Sequence, residues 1–402
     1  MSPPPARSPI ADRLRPFGTT IFTEMTRLAI QHGAVNLAQG FPDFDGPAFV
    51  KAGAAAAMGL DGADGQNQYA RMFGLPVLNR AIAAAWKRWG GADVDPDAQV
   101  TVTSGCTEAI AATLLGLVNP GDEVILFEPY YDSYRASVAF AAGVPRFVTL
   151  HAPTAAGHEF RFDPDDLRRA FNPRTRAILV NTPHNPTGKV FTRDELSLIA
   201  SLCLEHGVTA ITDEVYERLV YDPAQRPHVR LATLPGMADR TVTLSSLGKT
   251  FSLTGWKIGW AIAPPHLTAA IRAAHQFLTF ATATPLQVGA AAALEHGEPY
   301  VHDLVERLRA AREFLGRALE DLGFRVFRPA GTYFIMADHS ALGMGDDVAF
   351  CRRLTAEFGV AAIPPSVFYD HPEHGRPLAR FAFCKKMETL EQAVERLARL
   401  RR

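Results

Sequence analysis

The chain has 402 residues, of which 47% are hydrophobic and 21% charged, a globular make-up long enough for roughly two or three domains. Forty-one Lys and Arg against forty-two Asp and Glu leave a net charge of −1, which excludes the basic excess that nucleic-acid or acidic-surface binding needs. No apolar run reaches the roughly 18 residues that a bilayer crossing takes. Cys106, Cys203, Cys351 and Cys384 form no CxxC pair, so neither a disulfide framework nor a zinc site is expected, and a cytoplasmic enzyme is.

The Pro-rich first sixteen residues lack the apolar core of a signal peptide and read as a disordered lead-in. An Ala-rich stretch at 52–57 reads as helix. Strands are expected at Gln99–Thr103, Glu123–Phe127, Ala177–Asn181, Val208–Thr212 and Arg240–Ser245, with helical patterns such as Thr107–Val118 and Arg193–His206 between them. Short apolar strands separated by helices predict an α/β domain with a largely parallel sheet. Past about residue 290 a long helix, Pro299–Leu322, is expected to be capped by Gly323. Strands at Phe324–Arg328, Thr332–Asp338 and Leu378–Cys384 follow, with a helix among them, and together read as a smaller α+β domain.

Ligands of open α/β sheets sit beyond the carboxyl ends of the strands. The five expected ends carry Gly105-Cys106-Thr107 at a helix start, Tyr130-Tyr131, Asn185-Pro186-Thr187-Gly188, Asp213 with Tyr216, and Ser246-Leu247-Gly248-Lys249. Lysine is scarce here, seven among forty-one cations, and Lys249 lies between apolar neighbours where burial would deprotonate it. It reads either as a Schiff-base nucleophile or as a surface lysine. A P-loop is excluded, because that motif needs a glycine where Thr243 stands. Asp213 reads as a helix N-cap or as the partner of a protonated ring nitrogen. The helix start at 105–107 suits a phosphate, although capping alone would explain it. Arg380, inside an apolar strand, is either an edge residue or a bidentate carboxylate clamp. His371 and His374 read as loop residues without a third metal ligand, and the glycines around 59–65 and 343–345 lack a dinucleotide fingerprint.

Taken together these motifs resemble the fold-type I, class I pyridoxal-phosphate aminotransferases over nearly the whole chain. Residues 246–259 resemble that family's cofactor-lysine signature, and Asn185–Gly188 and Asp213–Tyr216 resemble two more motifs in the family's order. Gly18–Phe22, Asn36–Phe44 and Asn67–Tyr69 are similar to the methionine/kynurenine/glutamine branch, and bacterial succinyldiaminopimelate aminotransferases are similar in the same stretches. The resemblance implies an α/β large domain with a mainly parallel sheet at 48–290 and a small α+β domain at 291–402. It also implies an N-terminal segment, 1–47, packed with the small domain.

The implied cofactor is pyridoxal phosphate. Lys249 would form its Schiff base and carry protons, Asp213 would pair with the ring nitrogen, and Asn185 and Tyr216 would bind its phenolic oxygen. Tyr131 would stack on the ring, while Cys106, Thr107, Ser246 and Lys257 hold the phosphate. Gly40 and Arg380 would bind the substrate carboxylate, with Asn185 and Phe22 also lining the substrate site. As a homodimer with shared sites, the protein would lend Tyr69 to its neighbour's phosphate and the loop Phe280–Thr284 to its neighbour's pocket. Phe22, in place of a tryptophan, points away from kynurenine, and a loop 280–284 without arginine points away from aspartate. Neutral aromatic or sulfur-containing amino acids, with a 2-oxo acid as acceptor, are therefore the expected substrates. An N-succinyldiaminopimelate aminotransferase and a cysteine-conjugate C–S β-lyase are the alternatives. A transcriptional regulator on this fold would need a DNA-binding module before Ile21, where only twenty residues stand.

Overall fold

A computed structural model describes residues 9–18, 20–153 and 159–401. The first eight residues of the expected lead-in, and Thr19 of the Gly18–Phe22 motif, lie outside them.

In chain order, helix α1 (Ile21–Gln31) is followed by strand β1 (Val35–Asn36), then by α2 (Ala48–Ala57) and α3 (Pro76–Arg88). The α/β region then runs β2 (Val100–Ser104), α4 (Gly105–Leu117), β3 (Glu123–Glu128), α5 (Asp132–Phe140) and β4 (Val144–Thr149). It continues through α6 (Pro164–Ala170), β5 (Thr175–Asn181), α7 (Arg193–His206), β6 (Thr209–Asp213), β7 (Thr241–Ser246), α8 (Leu247–Thr250) and β8 (Ile258–Ile262). Three helices come next, α9 (Pro265–Leu278), α10 (Thr284–His296) and α11 (Glu298–Asp321). The chain ends through β9 (Arg325–Phe327), β10 (Phe334–Asp338), α12 (Asp347–Arg353), β11 (Val360–Ala361), β12 (Leu378–Ala382) and α13 (Met387–Leu397).

Seven strands form one sheet in the order β2-β8-β7-β6-β5-β3-β4, in which only β8 runs against its neighbours. Both faces are apolar because helices cover both. Val124 and Leu126 of β3 pack with Ala109 and Ile110 of α4, whereas Ile125 and Phe127 pack with Leu196 and Ile199 of α7. The sequence reading did not pick out β4 and β8. The first is interrupted by Pro145 and Arg146 and is partly exposed along its length, which is tolerable because it is the edge strand, bonded only to β3.

A three-stranded antiparallel sheet, β12-β10-β9, forms the second layer with α11 and α13. Met25 and Ala29 of α1 share a core with Leu304, Leu308 and Leu315 of α11, and β1 pairs in parallel with β11. Gly323 follows α11 at φ +94°, a left-handed position that favours glycine. Some expected boundaries shift for local reasons. Val208 closes α7 by donating to Cys203 O, and β10 begins at Phe334 because Thr332 takes a left-handed φ of +64°. Among the described residues no helix is long and apolar enough to cross a membrane.

Candidate active site

The carboxyl ends of β2, β3, β5, β6 and β7 face β12 across a cavity of about 200 Å³. Of the residues expected in the site, all but Tyr69 line it. Lys249 stands in the short helix α8, directly after β7. Its Nζ lies 5.9 Å from the ring centroids of both Tyr216 and Tyr333. Burial lowers its pKa. The Cys384 thiol and Asp213 carboxylate oppose the shift, while the cations of Lys257 and Arg380 reinforce it. The surface-lysine reading is thereby set aside.

Asp213 ends β6, and the chain then enters a turn rather than a helix, so it is no helix N-cap. Its donors are all neutral: Tyr134 Oη at 2.7 Å, the Val215 N–H at 3.3 Å and Cys106 Sγ at 3.6 Å. Burial pushes its carboxyl above the usual range, and these hydrogen bonds only partly offset that. Tyr216 is buried with its ring edge-on to Tyr333 at 5.2 Å, and burial raises its phenol. Asn181, at the end of β5, ties the neighbouring strand ends together. It donates to the Asp213 carbonyl at 2.8 Å and accepts the Asn185 N–H at 2.7 Å.

The turn from β2 into α4 makes a cationic cradle. Gly105 has φ +74°, and a Cβ there would come within 3.1 Å of Lys257 Nζ. Lys257 itself adopts a left-handed φ of +53° and reaches Thr107 Oγ1 at 3.4 Å. Cys106 and Thr107 occupy the first turn of α4, whose N–H groups and dipole favour an anion, and Ser246 closes the cradle from β7. Tyr131 forms one wall, edge-on to Tyr134 at 5.6 Å, with its phenol pushed up to about 12 by burial.

Arg380 sits opposite in β12, 2% exposed, so the edge-residue reading fails. Its guanidinium lies 4.3, 5.2 and 5.4 Å from the rings of Phe334, Phe368 and Phe22. It donates to Asn185 Oδ1 at 3.2 Å and Ala38 O at 2.9 Å, while its buried Nε has no partner. Burial lowers its pKa to about 10. Gly40 is required beside it, because a Cβ there would overlap the Phe334 ring, and its carbonyl accepts from Tyr333 Oη at 2.6 Å.

Tyr69 is 86% exposed and edge-on to Phe280, 5.5 Å between ring centroids, outside the cavity of its own chain. The sequence reading missed Tyr134, Asn181, Tyr333 and Phe334. The position of Tyr134, three residues after Tyr131 at the start of a helix, is the one local signal that could have found it. His371 is more than a loop residue: its Nδ1 lies 2.6 Å from the fully buried Glu128 carboxylate. One group with metal-ligand spacing, Glu214, Glu217 and His228, also escaped the sequence reading. The Arg230 guanidinium stands between its two carboxylates and pairs with both, which makes the group a buried ion network.

The model of the family "Aminotransferase class I and II" matches residues 33–397. The chain is 48% identical over 395 residues to the probable N-succinyldiaminopimelate aminotransferase DapC of Mycobacterium tuberculosis, covering 96% of this chain and 97% of that protein. It is 41% identical over 388 residues to the methionine aminotransferase of Escherichia coli K12, with the same coverage. The solved N-succinyldiaminopimelate aminotransferase from M. tuberculosis superposes with a TM-score of 0.93 at 48% identity, over 97% of this chain and 100% of that one. The chain therefore belongs to the class I and II aminotransferases, and is a fold-type I transaminase that passes an amino group between an amino acid and a 2-oxo acid.

Proposed function

We propose that this transaminase uses pyridoxal phosphate and prefers L-amino acids with neutral aromatic or sulfur-containing side chains. The observation that carries the reading is the meeting, in one cavity, of a half-buried lysine, a buried carboxylate and an aromatic-caged arginine. The residues fit the cofactor. A buried carboxylate bonded only by neutral donors suits a protonated ring nitrogen, and the cradle beside Gly105, which a Cβ would crowd, suits a phosphate. Arg380, with an unpartnered buried Nε, suits a carboxylate.

Asp213 and Tyr216 would hold the ring with Asn185, Tyr131 would cover one face, and Cys106, Thr107, Ser246 and Lys257 would grip the phosphate. When bound, pyridoxal phosphate supplies an electron-withdrawing ring that acidifies the Cα–H of the amino acid. Lys249 Nζ, with its pKa lowered by burial, is available as the neutral amine that takes that proton and returns it. Arg380 and the Gly40 backbone orient the α-carboxylate, and Phe22, Phe334 and Phe368 exclude water around it. The aromatic walls favour uncharged side chains.

A second reading, an N-succinyldiaminopimelate aminotransferase, is favoured by the 48% identity to the M. tuberculosis protein. The same proposal includes the domain division at residues 47 and 290 and a cytoplasmic location, the latter supported by four free cysteines. It also includes a homodimer in which Tyr69 and Phe280–Thr284 serve the partner, supported by the exposure of Tyr69, Phe277 and Phe280.

The test is the absorption spectrum of the purified protein with pyridoxal phosphate, before and after each amino donor is added without an oxo acid. A visible band that methionine bleaches supports the first reading. Bleaching only by N-succinyl-diaminopimelate supports the second. Lys249→Ala should lose the band and turnover together, and near-normal turnover in that variant would remove the assignment of Lys249.

A further inference from the structure

Beneath the cradle lies a buried ion pair that the transamination chemistry does not use. Glu108, in the first turn of α4, accepts the Ser104 N–H through Oε2 and so closes the helix start from inside. Its Oε1 faces His275 Nδ1 at 2.6 Å and Thr279 Oγ1 at 2.5 Å. The His275 ring is fully buried in the last turn of α9, and its Nε2 lies 2.8 Å from the Met72 carbonyl oxygen.

Both ring nitrogens thus face acceptors, a carboxylate on one side and a backbone carbonyl on the other. A neutral imidazole carries one N–H and can satisfy only one of them, whereas an imidazolium satisfies both. The carboxyl end of α9 also favours a cation. The remaining charged neighbour is Arg272, one turn earlier, which opposes the charge. It is held away by donating to Thr101 Oγ1 and to the Asp97 and Val100 carbonyls. Burial depresses the imidazole pKa, but hydrogen bonding and charge from Glu108 outweigh it, so the net shift is upward. Glu108 shifts downward, the donors His275, Thr279 and Ser104 outweighing burial.

The contacts of this pair lead to the two segments that carry the exposed Tyr69 and Phe280. Met72 belongs to the stretch that carries the exposed Tyr69. The N–H groups of Thr279 and Phe280 both close on the His275 carbonyl, and Phe280 holds a left-handed φ of +65°. Thr284 Oγ1 donates to Gln68 O at 2.6 Å, Gln287 accepts the Leu75 N–H at 2.8 Å, and Thr282 meets Ser104 Oγ at 3.2 Å. One buried cation is therefore fastened to the helix that forms the cradle and to both of these segments.

We propose that His275 is a positioning residue of the transamination site. Held as an imidazolium between Glu108 and the Met72 carbonyl, it pins residues 68–75 and 279–284 to the start of α4. Phosphate grip and the placement of the Tyr69–Phe280 pair then depend on this ion pair together with the Thr284–Gln68, Gln287–Leu75 and Thr282–Ser104 hydrogen bonds. The proposal rests on the cradle being the phosphate site.

The test is hydrogen exchange of the full-length protein, with and without pyridoxal phosphate, alongside titration of cofactor affinity between about pH 6 and pH 10. The pair contributes fully below the ordinary imidazole pKa and is lost as pH rises through the raised one. In the wild type, protection of 68–75 and 279–284 should therefore fall together on the alkaline side, with β5–β7 unchanged. Cofactor affinity should weaken over the same interval.

His275→Gln should lower protection of both segments at neutral pH by about tenfold or more and abolish the alkaline limb. It should weaken cofactor binding similarly. Glu108→Gln, which leaves an amide in the same place, should also flatten the alkaline limb, and supplies the readout if His275→Gln does not fold. Wild-type protection in His275→Gln, or an alkaline limb that persists in either variant, overturns the proposal. Because exchange is read without cofactor as well, the two ideas separate. Loosened segments in a protein that binds no pyridoxal phosphate would keep the clamp and remove the cofactor reading. Tight cofactor binding with unloosened segments would do the reverse.

Discussion

Asp213 shows how one side chain depends on a neighbour the motif does not contain. Its carboxylate is buried, and the shortest of its side-chain hydrogen bonds comes from Tyr134 Oη at 2.7 Å. A hydrogen bond to a charged group is worth about 1.5–3 kcal/mol, which corresponds to about ten- to a hundredfold in rate or affinity. Tyr134→Phe is expected to lower kcat/KM by about that factor. Losing a donor to the charged form raises the Asp213 pKa further, so the acid limb of the kcat/KM profile should move to higher pH. An unmoved limb would show that Tyr134 does not act through Asp213. The Asp213–Tyr216 motif was readable in sequence because its residues are adjacent. Tyr134 was not, because the contact joins residues from the start of α5 and the end of β6.

At the scale of elements, the turn between β5 and α7 fixes where Asn185 points. Gly188 has φ +70°, and a Cβ there would overlap the side chain of Pro329, which precedes β10. The Ala330 and Gly331 N–H groups both close on the Gly188 carbonyl, at 3.0 and 2.9 Å, which ties this turn to the approach to β10. Gly188→Ala meets both the left-handed strain and the overlap. It should cost about 1–3 kcal/mol in urea unfolding, with a larger loss of kcat/KM than that stability change explains. Composition marked Pro186 and Gly188 as a turn, but the reason for glycine lies in a segment about 140 residues away.

For the whole molecule, the buried network around Arg230 joins the sheet to the helix layer. Its guanidinium pairs with Glu214 and Glu217 and lies 4.4 Å over the Trp86 ring of α3, while Ser245 of β7 donates to Glu217 at 2.8 Å. His228 Nε2 meets Glu214 at 2.9 Å. Arg230→Met would strand two buried carboxylates, and breaking a buried ion pair in this way costs about 3–5 kcal/mol. The variant should unfold at markedly lower temperature in calorimetry, and an unchanged Tm would show that the carboxylates are neutralised by other means. Sequence offered only an Arg within a Pro-containing loop, with nothing to show that it lies between two buried carboxylates.

The sequence by itself determined the strand-and-helix alternation for five of the seven strands of the large sheet, because these are short runs of apolar and β-branched residues and helices such as Arg193–His206 carry their own capping signals. It also placed the lysine, carboxylate, amide and helix start at the strand ends, because each sits within a few residues of an apolar run. Tertiary structure alone decided that Asp213 is a buried acceptor rather than a helix cap, that Arg380 lies in a cage of phenylalanines, and that His275 is trapped between two acceptors. Each of those states depends on desolvation and on partners from distant elements, and burial is a property of the packed chain that no local spacing encodes.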